Sequence, residues 1–190
     1  MTIHHDTASW LAGQPERLAG VFLTHLHLDH VSGLPDVPKG TPIYAGPGET
    51  DERSFQNLFV APVLDRALEG HTPLLEWSFA PDPDGRFDGV LDVFGDRSVW
   101  ALHVPVHTSG SVAYLARTPR GPVLLAGDAC HTAWGWEHGV EPGSFSDDLA
   151  KSAESLRRLR DLVARHRATD VRPGHQALPR KVARRVPDQR

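Results

Sequence analysis

The sequence predicts an α/β fold, and three observations support that prediction. Short apolar runs bounded by turns, such as residues 99–104 and 111–116, fit buried strands. Residues 149–163 instead carry their apolar side chains on one helical stripe, with lysine and arginine opposite. Several apolar runs end in a histidine or an aspartate, and the carboxyl ends of strands are where α/β enzymes place their chemistry.

The composition fits a single domain over residues 1–190. The net charge of −4 favours neither a nucleic-acid nor a membrane surface as partner. No apolar run approaches the roughly 18 residues that a transmembrane helix needs, and the first residues do not resemble a signal peptide. The single cysteine, Cys130, excludes an internal disulfide and is compatible with a reducing compartment. We therefore expect a cytoplasmic protein.

The first half of the chain predicts two strands and two helices. Residues 21–23 form an apolar run that fits a short buried strand, and residues 43–44 fit a second one. A short helix is expected from about residue 30 to residue 34. Residues 51–68 follow a roughly helical pattern, in which Pro62 is expected to kink or split the helix.

The second half predicts four strands, one helix and a last strand. The four strands are expected at residues 90–94, 99–104, 111–116 and 123–126. A tight turn at 118–121 would join the last two of them as a hairpin. Ser146 is expected to cap the helix, with Asp147 and Asp148 in its first turn. A strand at about 169–172 would then lead to Pro-Gly-His175.

A dense polar run follows the first predicted strand. Residues 24–30 read Thr-His-Leu-His-Leu-Asp-His, so three imidazoles and a carboxylate lie within seven residues. Such side chains are rarely buried unless something pairs with them. Imidazole and carboxylate are the usual ligands of zinc, and a catalytic zinc site keeps one position open for water. We therefore predict a metal site at His25, His27, Asp29 and His30.

Three more ligand-type residues stand at the ends of predicted strands. His107 lies in a loop between two strands, Asp128 follows the 123–126 strand, and His175 follows the last one. Because a chance scatter of histidines would not respect strand ends, we expect these side chains to join the first run around a pair of divalent ions. His103 is the alternative to His107. The remaining histidines at positions 4, 5, 71 and 166 are expected at the surface.

These seven residues, in this order, resemble the signature of the metallo-beta-lactamase superfamily of metal-dependent hydrolases. The likeness spans about residues 19–176 and implies a four-layered αββα sandwich. It also implies two metal positions that share one carboxylate. By this resemblance the first position is held by His25, His27 and His107, the second by Asp29, His30 and His175, and Asp128 bridges the two. Zinc is the expected metal, with iron and manganese as alternatives.

The resemblance implies hydrolysis by a hydroxide that bridges the two ions. Ions roughly 3.5–4 Å apart lower the pKa of a shared water towards about 7, which supplies a nucleophile at neutral pH. One ion would polarise the scissile carbonyl or phosphoryl oxygen while the other would stabilise the leaving group. Asp29 would accept a proton from the nucleophile, and Asp128 would act in catalysis by holding both ions.

The residues from Gly127 to Thr132, with the helix that follows, look most like the lactone-hydrolysing members. We therefore expect a small ester or lactone as substrate. Those members commonly have a tyrosine at the position of His131, where a histidine would donate a hydrogen bond to the carbonyl oxygen instead. Three alternatives stay open: a thioesterase of the glyoxalase II kind, a phosphodiesterase of the same superfamily, and, from another class, a non-catalytic metal-binding or truncated domain.

Two features depart from the superfamily pattern. Only 24 residues precede His25, fewer than usual, so the first strands of one sheet are expected to be missing or replaced. An uncovered sheet edge invites association, and we predict a homodimer or a partner chain that shields it. Residues 49–98 form an insertion rich in aromatics, which would serve as a lid with an apolar binding surface or simply pack into the core.

Overall fold

The structure is a computed structural model that describes residues 6–50, 55–146, 148–166 and 169–176, with the backbone alone for residues 55–61. His4, His5 and Asp147, which the sequence analysis discussed, lie outside these residues.

The first half of the described chain forms a small parallel sheet with helices between its strands. Strand order follows chain order, and Val21 pairs with Ile43 while Tyr44 pairs with Leu75. Parallel neighbours need crossover connections, which the helices provide. The elements are α1 (Thr7–Ala12), β1 (Val21–Phe22), α2 (Leu28–Val31), a 3-10 turn (Leu34–Asp36), β2 (Ile43–Ala45), α3 (Phe55–Leu68) and β3 (Leu75–Glu76).

The second half forms a five-stranded sheet whose first four strands run as an antiparallel meander. The last strand joins the sheet parallel to its neighbour, because a helix carries the chain back across the sheet. The elements are β4 (Gly89–Asp92), β5 (Val99–His103), β6 (Val112–Thr118), β7 (Gly121–Gly127), α4 (Ala133–His138), a 3-10 turn (Gly143–Phe145), α5 (Leu149–Arg165) and β8 (Asp170–Pro173). The strands predicted for this half are confirmed.

Two predicted helix details are wrong, and one of the two alternatives given for Pro62 is excluded. The cap of α5 is Asp148 rather than Ser146, because the Asp148 carboxylate accepts from the backbone N–H of Lys151 at 3.0 Å. Ser146 instead ends the preceding 3-10 turn. The short helix α2 begins at Leu28, earlier than expected, which puts Asp29 in its first turn. Pro62 lies inside α3 without splitting it into two helices.

Three apolar clusters show how the layers stack. Leu159 and Leu162 of α5 pack on the five-stranded sheet against residues such as Leu124. The helices α2 and α3 pack on the far face of the parallel sheet, where Leu23 and Ile43 lie. Successive strand residues face opposite ways, so the side chain of Phe22 points to the other sheet. The two sheets meet there, and the order of layers is α, β, β, α.

The contact between the two sheets is centred on Tyr114. Phe22 and Trp77 of the parallel-sheet half pack against the cluster that contains Tyr114. The Tyr114 hydroxyl donates to the Leu23 carbonyl at 2.9 Å and accepts from Trp77 Nε1 at 3.0 Å. Burial raises the pKa of Tyr114, which keeps the hydroxyl protonated for the donated bond. The α/β class and the four-layered sandwich are thus confirmed.

Residues 49–98 contribute to both sheets through β3 and β4. Phe87 is buried in the main core, and Trp77 packs between the sheets. These two aromatics therefore belong to the core. A lid stays a prediction for the part of this segment outside the strands.

Strand β1 lies at an edge of the parallel sheet, and β2 is its one hydrogen-bonded neighbour strand within the described residues. In the part of the chain that the structure describes, no helix has the length and apolar character needed to cross a membrane.

Candidate functional site

The polar residues that follow four strands converge on one place. The run after β1 supplies His25, His27, Asp29 and His30, while the loop between β5 and β6 supplies His107. Asp128 and His131 follow β7, and His175 follows β8. The parallel pairing of β7 and β8 explains part of this, because parallel strands end at the same edge of a sheet. The hydrogen bond from Val112 N to Thr24 O, at 2.8 Å, brings the loop after β1 to the start of β6.

The converging side chains form adjoining groups of potential ligands. In each group the ligand atoms lie within 4.8 Å of one another, and the groups are His25, His27 and His107; Asp29, His30, Asp128 and His175; and His107, Asp128 and His131. The structure therefore brings together all seven predicted ligands, and it places His131, which was predicted to assist the carbonyl oxygen, beside them. Their roles as ligands stay predictions.

His103 lies away from this centre. Its Nε2 donates to the Ser109 carbonyl at 3.1 Å, and its ring stacks on Phe79 with centroids 5.2 Å apart. Between the two histidines weighed from the sequence, His107 is the one whose ring reaches the cluster.

Asp128 lies at the middle of the cluster and is 4% exposed. Its carboxylate oxygens are surrounded by the Nε2 atoms of His25 at 3.8 Å, His30 at 3.2 Å, His107 at 3.7 Å, His131 at 3.1 Å and His175 at 3.1 Å. Burial alone would raise the pKa of this carboxyl, but the adjacent His131 and His30 lower it well below its usual range. Asp128 is therefore a carboxylate at neutral pH, and it can face two cations at once.

The two buried imidazoles, those of His25 and His107, are held in the neutral form that binds metal. Burial, aided by the neighbouring His27, lowers the pKa of His107 to about 4. Burial and the adjacent His30 likewise lower the pKa of His25. Burial also favours the neutral form of His30, but Asp128 outweighs it and raises the pKa of that ring. A neutral imidazole keeps a free lone pair, and metal binding requires it.

Several buried atoms at the centre lack hydrogen-bond partners. They are Nε2 of His25, Oδ1 of Asp128 and Nε2 of His131. The last two lie close to an ionisable atom, Nε2 of His30 at 3.2 Å and Oδ2 of Asp128 at 3.1 Å, but without hydrogen-bond geometry. Leaving one buried polar atom unpaired costs about 1–3 kcal/mol, so three such atoms at one point indicate a site built to bind something. The set of donors, imidazole nitrogens around carboxylate oxygens, fits divalent ions of the zinc type.

Two supporting residues escaped the sequence analysis. Thr24 places its hydroxyl 3.2 Å from Nδ1 of His25 and 3.4 Å from Nδ1 of His30, so one side chain orients two rings. Glu49 is buried beneath the cluster. Thr24 could have been suspected because it directly precedes the histidine run. Glu49 follows a Gly-Pro-Gly turn, which is typical of a solvent-exposed position, and nothing in its neighbourhood suggested a role.

The family comparison agrees with the fold. The chain belongs to the metallo-beta-lactamase superfamily, whose family model matches residues 3–175. This confirms the resemblance inferred from the seven residues.

Among known proteins the chain is similar to lactonases. It is 30% identical over 171 residues to the N-acyl homoserine lactonase AttM of Agrobacterium fabrum, in a match that covers 90% of this chain and 62% of AttM. The chain thus spans less than two thirds of that relative. The predicted likeness to lactone-hydrolysing members is confirmed.

Solved structures support the fold. An N-acyl homoserine lactone hydrolase, determined with N-hexanoyl-L-homoserine bound at the catalytic metal centre, has a TM-score of 0.62 at 23% identity, covering 83% of this chain and 55% of that one. The dizinc quorum-quenching lactonase AidC has a TM-score of 0.59 at 15% identity, covering 83% of this chain and 57% of that one.

Proposed function

We propose that this chain is a hydrolase that binds two divalent metal ions and cleaves an ester or lactone. The observation that carries the proposal is the convergence of seven ligand-type side chains around the buried carboxylate of Asp128. The similarity to an N-acyl homoserine lactonase supports a lactone as substrate. Zinc is the proposed metal, with iron and manganese as alternatives, and the cytoplasmic location stays a prediction.

The proposed ligand sets follow the groups in the structure. His25, His27 and His107 hold the first ion, and the second is held by Asp29, His30 and His175. Asp128 faces both sets, with Oδ2 at 3.8 Å from Nε2 of His25 and at 3.1 Å from Nε2 of His175. When bound, the two ions would supply an activated water as nucleophile at neutral pH and would polarise the substrate carbonyl oxygen.

Two residues are proposed to move or hold protons during the reaction. Asp29 carries its carboxylate on the open side of the cluster, with a side chain that is 57% exposed and lies 3.3 Å from Nε2 of His175. It accepts a proton when the nucleophile attacks. His131 directs its Nε2 towards the centre, where its ring lies 4.5 Å from that of His175. It donates a hydrogen bond to the carbonyl oxygen of the substrate.

A panel of substrates tests the proposed reaction. The protein is loaded with zinc, iron or manganese and assayed with N-hexanoyl-homoserine lactone, a glutathione thioester, an activated phosphodiester and a chromogenic cephalosporin. We expect kcat/KM for the lactone to exceed the others by at least about tenfold, roughly 1.4 kcal/mol of transition-state discrimination. A higher kcat/KM for the thioester or the phosphodiester would instead favour a thioesterase or a phosphodiesterase. Less than one metal per chain without hydrolysis would favour the non-catalytic domain.

We also propose that a second copy of the chain covers the exposed edge of β1. That strand leaves backbone groups open on one side within the described residues, and unpaired strand edges promote association. Size-exclusion chromatography with light scattering is expected to give twice the chain mass at micromolar concentration. A clean monomer would contradict this proposal while leaving the metal site unaffected.

A further inference from the structure

A buried glutamate lies beneath the cluster, outside the proposed ligand sets. Glu49 is 1% exposed, although its charge makes burial costly unless other groups satisfy the carboxylate. It follows β2 and the tight turn at residues 46–48, which places it below two of the loops that carry histidines. Its partners therefore indicate what the buried charge is for.

The Glu49 carboxylate bonds to both of these loops. Its Oε2 accepts from the backbone N–H of Leu26 at 2.7 Å, and Leu26 lies between His25 and His27. Its Oε1 accepts from the hydroxyl of Thr108, the residue after His107. A single side chain thus joins the three histidines of the first ligand set through atoms next to each of them.

The surroundings of Glu49 leave these loops little room to shift. Thr108 is held in turn by Ser111, whose Oγ lies 2.8 Å from the Thr108 hydroxyl and accepts from its N–H at 3.2 Å. A methyl group added at Gly110 would come within 2.7 Å of Glu49 Cγ and 2.5 Å of the Pro47 carbonyl oxygen. The turn before Glu49 and the loop after His107 are therefore in direct contact.

We propose that Glu49 is a positioning residue for the metal held by His25, His27 and His107. Its hydrogen bonds fix the spacing of these rings, whose centroids lie 4.7 Å apart for His25 and His27 and 4.3 Å apart for His27 and His107. Ligands that are already in place lose less conformational entropy when an ion binds. The inference rests on the proposed two-metal function.

The Glu49→Ala variant tests the proposal. It leaves the Leu26 N–H and the Thr108 hydroxyl without their acceptor and frees the two loops. We expect one of the two ions to bind about 10–100-fold more weakly, the usual effect of losing a group that supports metal ligands. Competition with a metallochromic chelator measures both affinities. Anomalous diffraction from zinc-grown crystals should show the depleted position beside His107 and a full one beside His175.

Glu49→Gln is the matched variant that separates position from charge. Its amide oxygen can accept from Leu26 N–H, its NH₂ group can donate to Thr108 Oγ1, and the Thr108 hydroxyl can then donate to Ser111. The hydrogen bonds survive while the charge is lost. We expect the affinity to return to within about threefold of wild type, which is less than 1 kcal/mol. An affinity as low as that of Glu49→Ala would mean that charge, rather than position, is what Glu49 supplies, and would overturn the proposal.

Thr108→Val provides a second route if Glu49→Ala fails to fold. It keeps the side-chain shape but removes the hydroxyl that Glu49 binds, and it should weaken the same metal position. The thermal midpoint of the metal-free protein is measured alongside, because a purely structural role would lower that midpoint without changing the affinity of the folded variant. If wild type binds two ions and a folded variant without these bonds holds both equally tightly, the positioning role is wrong. If wild type itself fails to bind two ions, the proposed function is wrong and this inference falls with it.

Discussion

Replacing Asp128 with alanine is expected to abolish hydrolysis and to release most of the bound metal. The carboxylate is the one acidic side chain within 4 Å of the Nε2 atoms of His25, His107 and His131 among the described residues. Without it, the imidazoles would face two cations with no shared negative charge between them. We expect kcat/KM to fall at least about 100-fold, more than 2.7 kcal/mol. Turnover assays and metal analysis of the purified variant measure the two effects.

Cys130→Ser is the matched control for this prediction. Cys130 lies two residues from Asp128 and is fully buried, and its Sγ donates to the Thr132 carbonyl at 3.2 Å. A serine hydroxyl can make the same bond, so we expect turnover and metal content close to wild type. Full activity in Asp128→Ala would contradict the two-metal assignment.

Gly174→Ala is expected to disturb Asp128 without removing a proposed ligand. A methyl group at this position would overlap Oδ1 of Asp128 and come within 3.1 Å of the Gly127 carbonyl oxygen. The loop cannot easily move away, because Gly174 N donates to the Cys130 carbonyl at 3.1 Å and His175 N donates to the His131 carbonyl at 3.2 Å. We expect metal affinity at least about tenfold weaker and stability lower by about 1–3 kcal/mol. Chelator competition and thermal unfolding measure these quantities.

Gly13→Ala is the corresponding control at a glycine with room for a methyl group. An added methyl there would meet Trp10 O at 3.5 Å and Ser9 O at 3.9 Å, which are ordinary contacts. The backbone φ of −86° suits alanine. We expect unchanged metal affinity. If Gly174→Ala also bound metal as tightly as wild type, this would contradict the close contact between the His175 loop and Asp128.

The sequence was sufficient to predict which residues converge at the candidate site, because these residues follow strands that the apolar pattern reveals. His107, Asp128 and His175 each come after such a run, and strand order then brings them together. The helix α5 was equally clear from its apolar stripe. The first residue of α5 could not be predicted, because Ser146 and Asp148 are both good N-cap residues. The neighbouring 3-10 turn decides between them.

The contacts between residues that lie far apart in the sequence could not be predicted. Glu49 and Thr108 are 59 residues apart, and no local pattern links them. Strand β3 has two residues, both exposed, so it shows no periodicity. Helix α1, which the sequence analysis did not predict, buries none of its residues fully. In each case the structure depends on pairing or packing with a distant segment.

We propose that these loops hold two ions around Asp128. Crystals grown with zinc and measured on both sides of the zinc absorption edge test it most directly. We expect two anomalous peaks, each about 2.0–2.2 Å from its ligand atoms, one bound by His25, His27 and His107 and the other by Asp29, His30 and His175. A single peak, or a map in which Asp128 or His175 turns away and leaves no space for a second ion, would contradict it.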